Sequence, residues 1–130
     1  MGQYYKIVNL DKQQFIDPHK FGDGLKLGEF AGSQAGVMSA LAMLLATSNG
    51  RGGGDVENKP IVGSWRGNRI AVVGDYTEDA DLPDISKASK IYQKCSDEEY
   101  TDISDQLVPI VESEFCVKIS GDGWRDKKDA

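Results

Sequence analysis

The longest apolar run of the chain lies between residues 34 and 48, and its pattern predicts a buried helix. Apolar side chains recur there at three- and four-residue spacing, at Val37, Met38, Leu41, Leu44 and Leu45. A helix that is apolar on nearly all sides is typical of a protein core. We expect Ser33 to be its N-cap and Asn49-Gly50 to end it, because Asn and Gly tolerate the left-handed backbone. A helix of about 15 residues is roughly 22 Å long, which is too short to cross a membrane.

Shorter segments rich in β-branched and aromatic residues predict two hairpins. The first joins strands at 3–9 and 14–16 through a turn at 10–13, and the second joins strands at 61–65 and 69–74 through a turn at 66–68. Strands joined by tight turns pair antiparallel.

The C-terminal third predicts a second helix and a last strand. Ser96 followed by Glu99 matches a capping box, and the apolar residues after it fall on one helical face, at Tyr100, Ile103, Leu107, Ile110 and Val111. Pro109 is expected to kink or divide this helix, because proline lacks the N–H and clashes with the preceding turn. Alternation at Phe115, Val117 and Ile119 predicts a strand.

Together these elements predict an α+β fold. We expect a single antiparallel sheet of four to six strands, formed by the two hairpins and packed on the central buried helix, with a C-terminal amphipathic helix. Residues 1–120 would form one globular domain, for which the length is sufficient, and residues 121–130 a polar tail that frays.

Composition narrows the classes of partner. The formal net charge of −6 disfavours duplex nucleic acid, which needs a basic face, but it permits a small anion in a local basic pocket. Cys95 and Cys116 are too few for a disulfide framework, so we expect two free thiols and a cytoplasmic location. The chain starts without a secretory leader pattern. We predict no membrane association and no cofactor.

The glycine-rich loop at 49–55 is the strongest candidate site. Its sequence is Asn-Gly-Arg-Gly-Gly-Gly-Asp, and successive glycines can turn backbone N–H groups towards one anion. Arg51 would add a bidentate grip. The loop follows a helix and lacks the Gly-Lys-Ser/Thr ending of a P-loop, so a simple connector is the competing interpretation.

A ligand set follows from this loop and its expected neighbours. If the loop lies beside the turn of the second hairpin, Arg66 and Arg69 would join Arg51, and Trp65 would stack on a planar ligand; alternatively each arginine forms a surface ion pair and Trp65 is a core residue. The predicted ligand-binding residues are His19, Arg51, Gly52, Gly53, Gly54, Asp55, Trp65 and Arg66.

Other chemistry has weaker support in the sequence. The single histidine, His19, and scattered aspartates lack the clustered spacing of metal ligands, so no metal site is predicted. The acidic segment at 77–84 is expected to be a solvated loop, because it lacks the glycine and the final glutamate of a calcium-binding loop. Acid–base catalysis would require His19 to meet Asp55 or Asp75 in one cleft.

Four segments carry a resemblance to other proteins: the start Met-Gly-Gln-Tyr-Tyr-Lys, residues 17–27, the loop at 49–55, and Gly-Ser-Trp at 63–65 with Gly-Asp-Tyr at 74–76. In these segments the chain resembles a group of small bacterial and phage proteins with no assigned function. The resemblance implies a prokaryotic or phage cytosolic setting and no particular activity.

Three functional hypotheses remain open. The first is a non-enzymatic binding domain for an anionic or nucleotide-like ligand at 49–55, because binding residues gather in loops held by a scaffold. The second is a phage or host protein-interaction module, such as an inhibitor of a cellular enzyme, which the acidic charge favours. The third is a hydrolase or transferase that uses His19 with Asp55 or Asp75. A homodimer, through sheet edges or exposed apolar surface, is compatible with the first two.

Overall fold

The computed structural model describes residues 2–119 and the backbone of residues 128–129. Its helices are α1 (Leu27–Phe30), α2 (Val37–Leu45), α3 (Ile91–Ser96) and α4 (Ser104–Phe115). Its strands are β1 (Tyr5–Asn9), β2 (Gln14–Ile16), β3 (Ile70–Gly74), β4 (Thr101–Asp102), β5 (Val117–Lys118) and β6 (Lys128–Asp129). Short 3-10 helices occur at Pro18–Phe21, Asp79–Asp81 and Ala88–Lys90.

The main sheet has four strands in the order β3-β1-β2-β4. β1 pairs antiparallel with β2 and with β3, whereas β4 pairs parallel with β2. The predicted α+β fold with one main sheet is therefore confirmed, but the sheet is mixed, and the prediction of a purely antiparallel sheet was wrong. The chain reaches β4 through α3 instead of through a hairpin, and such a crossover permits parallel pairing. β5 and β6 form a separate two-stranded pair.

The first hairpin forms as predicted, with β2 at the predicted bounds. Asn9 is fully buried at the end of β1, and its side-chain Oδ1 accepts the N–H groups of Asp11 (3.0 Å) and Lys12 (2.9 Å). These two bonds close the turn at 10–13, because an asparagine side chain can take the place of a backbone acceptor in a turn.

The sheet is covered on both faces because successive side chains of a strand point in opposite directions. Ile7 packs in a cluster with residues of α2 and α4, including Leu44 and Leu107. The neighbouring Val8 packs in a second cluster with Ile91 and Cys95 of α3. β1 is thus an inner strand of the sheet, with α2 and α4 on one face and α3 on the other.

The second hairpin was predicted incorrectly. β3 occupies 70–74, but its partner is β1, and residues 60–67 form successive turns. In these turns the Gly63 N–H donates to the Met43 carbonyl (2.8 Å) and the Trp65 N–H to the Leu44 carbonyl (2.9 Å). The turns therefore satisfy carbonyls that the last residues of α2 would otherwise leave unpaired.

The central helix is shorter and more exposed than predicted. α2 begins after Gly36 and ends at Leu45, before Asn49-Gly50, because the turns at 60–67 take over its last carbonyls. Ser33 is not the N-cap, although its Oγ accepts the Met38 N–H at 3.2 Å. Val37, Ala40, Met43 and Leu44 are buried, whereas Ala42 and Leu45 are exposed.

The predicted C-terminal helix is divided, but not at its proline. Ser96 is the last residue of α3, β4 follows, and α4 begins at Ser104 and continues through Pro109. The helix ends at Ser96, and Glu98 in the turn that follows has a positive φ of 62°. The predicted capping box at Ser96 and Glu99 is therefore wrong, because Ser96 ends a helix instead of starting one. Phe115 belongs to α4, so the last strand is limited to β5. The prediction of a fraying tail at 121–130 falls mostly outside the described residues.

Candidate functional site

A cleft of about 510 Å³ lies beside the C-terminal end of α2. It is lined by Thr47, Ser48, Asn49, Arg51, Asn58, Lys59, Pro60, Val62 and Arg66. We call it the cationic cleft, because three of these residues are positively charged and none is a carboxylate. It lies where the glycine loop meets the turns at 60–67 that cap α2.

The glycine loop forms the predicted anion nest, but its own aspartate occupies it. Asp55 Oδ2 accepts the N–H groups of Gly50 (2.8 Å), Arg51 (2.9 Å) and Gly52 (3.2 Å). These hydrogen bonds hold the pKa of the Asp55 carboxyl below its usual range. The bond from Gly52 has the largest effect, followed by those from Arg51 and Gly50. The prediction that these amides would receive an external anion is therefore wrong, because an internal carboxylate already neutralises them.

A second side chain closes the same loop at its base. Asn49 Nδ2 donates to the Val56 carbonyl (2.9 Å), and Asn49 Oδ1 accepts the Val56 N–H (3.0 Å). With Asp55, these bonds give the loop a defined shape that a plain connector would not need. The exposed backbone at Gly52 and Gly53 has no neighbour within 4 Å of an added Cβ atom, and Gly54 lies at a positive φ of 91°.

The structure brings Arg51 and Arg66 together in the cleft, as the sequence predicted. Arg66 Nη1 donates to the Thr47 carbonyl at 3.4 Å, which holds this guanidinium beside the end of α2. Sequence reasoning missed Lys59, the third cation, whose Nζ lies 3.4 Å from the carboxylate of Glu57. The signal for it was present, because residues 58–66 contain only cations among their charged residues.

Arg69 does not join this group. Its guanidinium lies 2.8 Å from Asp11 Oδ1, and its backbone N–H donates to Asp11 Oδ2 at 2.7 Å. These contacts lower the pKa of Asp11, with the backbone bond as the largest cause. Arg69 therefore forms a surface ion pair with Asp11, which was the alternative role predicted from the sequence.

Trp65 offers no face to a ligand. Its side chain is 0 % exposed, and its indole N–H donates to Gln14 Oε1 at 2.8 Å. Stacking of Trp65 on a planar ligand is therefore wrong, and its alternative role as a core residue holds. The turns at 60–67 direct this side chain inwards, whereas the predicted strand would have left its direction open.

His19 lies away from the cleft lining. It is exposed on the 3-10 helix Pro18–Phe21, and its backbone N–H donates to Asp17 Oδ1 at 3.0 Å. Asp75 Oδ1 accepts the Tyr4 N–H at 3.0 Å. Within residues 2–119 no hydrogen bond or ion pair joins His19 to Asp55 or Asp75, and no group of three or more His, Cys, Asp or Glu residues there could hold a metal ion.

A second hollow, of about 330 Å³, meets the cationic cleft at Ser48, Asn49 and Val62, which line both. We call it the apolar groove; its apolar lining consists of Ala42, Met43, Ala46, Val56, Val62 and Phe115. Asp55 and Gly54 also reach it. The groove therefore lies between α2, the end of α4 and the glycine loop.

Searches against models of known protein families, curated proteins and solved structures find no match to this chain. Among the described residues, no helix is long and apolar enough to span a bilayer.

Proposed function

We propose that this protein is a non-enzymatic, cytoplasmic binding domain that takes a small anion in the cationic cleft. The observation that carries the proposal is the placement of Arg51, Lys59 and Arg66 around one cleft without a lining carboxylate, on a chain of net charge −6. Lys59 also contacts Glu57 outside the lining, whereas no ion pair within 4.0 Å joins Arg51 or Arg66 to a carboxylate among the described residues. A cleft that is lined by charges of one sign concentrates the electric field and attracts ligands of the opposite charge.

The other lining groups support recognition of an oxyanion. Arginine presents a fork of donors that matches phosphate and carboxylate groups. Thr47, Ser48 and Asn58 add neutral polar side chains. The volume falls in the range of about 300–1,000 Å³ that is usual for small-molecule sites.

The proposal is for binding because this lining has no evident catalytic group. Among the described residues that line the cleft, none is His, Cys, Asp or Glu. Ser48 and Thr47 therefore have no general base beside them within the lining, and a hydroxyl nucleophile needs one. Catalysis by His19 with Asp55 or Asp75 receives no support from the contacts of these residues.

The test is calorimetric titration of the purified chain with inorganic phosphate, pyrophosphate and citrate at low and high salt. We expect binding that weakens as salt rises. We expect Arg66→Ala and Arg51→Ala to weaken it roughly tenfold or more, since hydrogen bonds to charged groups are the stronger ones. Lys118→Ala is the control, because this exposed lysine on β5 lies outside the cleft lining. Absence of binding by all three anions at low salt would refute the proposal.

A protein partner, such as a cellular enzyme to be inhibited, is the second candidate. Three large apolar side chains are exposed beside the β3 edge, namely Tyr4 (42 %), Val72 (44 %) and Tyr76 (56 %). The acidic segment at 77–84 follows directly and would complement a basic face on a partner. Capture of a host protein by the native chain, lost in Tyr76→Ala, would support this function; equal capture by both would count against it. Homodimerisation through the same edge stays a prediction.

A further inference from the structure

We propose that the ligand of this protein is a nucleoside monophosphate, with its phosphate in the cationic cleft and its base in the apolar groove. The inference rests on the proposed function, because it needs the cleft to hold an anion. It adds a second, neutral subsite and thereby a chemical class of ligand. The observations that carry it are the shared lining residues of the two adjoining hollows, their unequal charge and the apolar walls of the groove.

The two hollows adjoin at the base of the glycine loop. Ser48, Asn49 and Val62 line both, and a ligand with two parts would pass over these residues to occupy both hollows. Asn49 is held in place at this boundary by its two hydrogen bonds to Val56. A ligand that filled only the cleft would leave an adjoining hollow of about 330 Å³ unused.

Charge fixes the direction in which such a ligand would lie. The cleft contains Arg51, Lys59 and Arg66, whereas the lining of the groove contains one charged residue, the carboxylate of Asp55. An anionic group is attracted to the first and repelled from the second. The phosphate therefore occupies the cleft and the uncharged part of the ligand occupies the groove.

The walls of the groove suit a flat ring with polar edges. Phe115 lines the groove at the end of α4 and is 45 % exposed, and any base can stack on an accessible aromatic ring. Ala42 of α2 and Ala46 just after it add small apolar side chains, and Ser39 and Asp55 add polar side chains to the lining. A flat ring with polar edges can use both kinds of lining group, so the mixture of apolar and polar side chains favours a base over a lipid tail.

The test compares, by calorimetry on the full chain, the four ribonucleoside monophosphates with inorganic phosphate and with uncharged nucleosides. We expect at least one monophosphate to bind at least tenfold more tightly than phosphate. Phe115→Ala should remove most of this advantage, a loss of about tenfold, and leave the affinity for phosphate unchanged. Leu27→Ala is the matched control, because Leu27 is a similarly exposed apolar residue (48 %) that lines neither hollow.

A second variant tests the groove without deleting a side chain. Ala42 is exposed on α2, so Ala42→Trp would fill the groove while the cations stay in place. We expect it to abolish the preference for the monophosphate and retain binding of phosphate. If phosphate binds and no monophosphate binds more tightly, the inference fails and the proposed function stands. If phosphate and all monophosphates fail to bind, the inference and the proposed function both fail. An alkyl phosphate that binds more tightly than every nucleotide would overturn the inference, because the groove would then hold an alkyl chain instead of a base.

Discussion

Gly63 shows how a single residue connects the end of α2 to the candidate site. It lies at a positive φ of 82°, and an added Cβ atom would be 2.8 Å from the Ala46 carbonyl and 2.5 Å from Arg66 Nη1. The carbonyl belongs to the backbone and cannot move away cheaply. Glycine is therefore required here both by conformation and by space.

We predict that Gly63→Ala destabilises the fold by about 2–4 kcal/mol, from left-handed strain and a steric clash. Gly67→Ala is the matched control: it has a φ of 77° but nothing within 4 Å of the added atom, so only strain of about 1–2 kcal/mol applies. Urea unfolding of both variants measures the difference. Equal destabilisation would show that the space around Gly63 does not matter.

The two cysteines differ in the reactivity that their surroundings permit. Cys95 is 2 % exposed in the cluster beneath α3, and burial raises the pKa of its thiol to about 12. Cys116 is exposed at the end of α4. Only the thiolate is nucleophilic, so we predict that iodoacetamide at pH 8 labels Cys116 alone in the native chain and both cysteines in denaturant. Mass spectrometry gives the number of labelled cysteines. The Cys116→Ser variant should remain unlabelled until it unfolds. Labelling of Cys95 in the native chain would contradict its burial.

At the scale of elements, the sequence predicted the features that depend on neighbouring residues better than those that depend on distant contacts. The first hairpin was predictable because Asn9 and the turn at 10–13 act within a few residues. The second was not, because the tendency of residues 61–65 to extend gives way to their bonds with the carbonyls of α2. The cations of the cleft could be read from the sequence, whereas the occupation of the anion nest by Asp55 depends on a loop closure that composition does not reveal.

The N-terminus of α2 depends on a distant carboxylate. Asp23 is 6 % exposed, and its Oδ2 accepts the Val37 N–H at 2.7 Å, where the positive end of the helix favours an anion. We predict that Asp23→Ala lowers the free energy of unfolding by about 1–3 kcal/mol, since a buried N–H loses its acceptor. Ser33→Ala should cost less, because its bond to Met38 is longer and half-buried. Asp84→Ala, an exposed change, serves as the control in urea unfolding, and equal stability of the Asp23 and Asp84 variants would refute this role.

At the scale of the whole molecule, the acidic residues hold loops as well as give the net charge. Asp11, Asp55 and Asp79 all have a pKa lowered from the ordinary 3.8, and in each the largest cause is a hydrogen bond from a backbone N–H. Two of these donors, Arg69 and Gly52, lie outside helices and strands, and the third, Ser89, lies in the 3-10 helix Ala88–Lys90. The negative charge of the chain is therefore partly structural.

This arrangement fixes the sign of the pH dependence. Because these carboxyls have a lower pKa folded than unfolded, their contribution to stability is present above about pH 4 and is lost as pH falls through the folded values. We predict that the free energy of unfolding rises as the pH increases from acid towards about 4, and that Asp55→Asn makes this rise smaller. Asp84→Asn, at an exposed aspartate outside the glycine loop, should leave the rise unchanged. If Asp55→Asn and the native chain gave parallel curves, the carboxylate would not hold the glycine loop, and the preorganised position of Arg51 in the cleft would lose its physical basis.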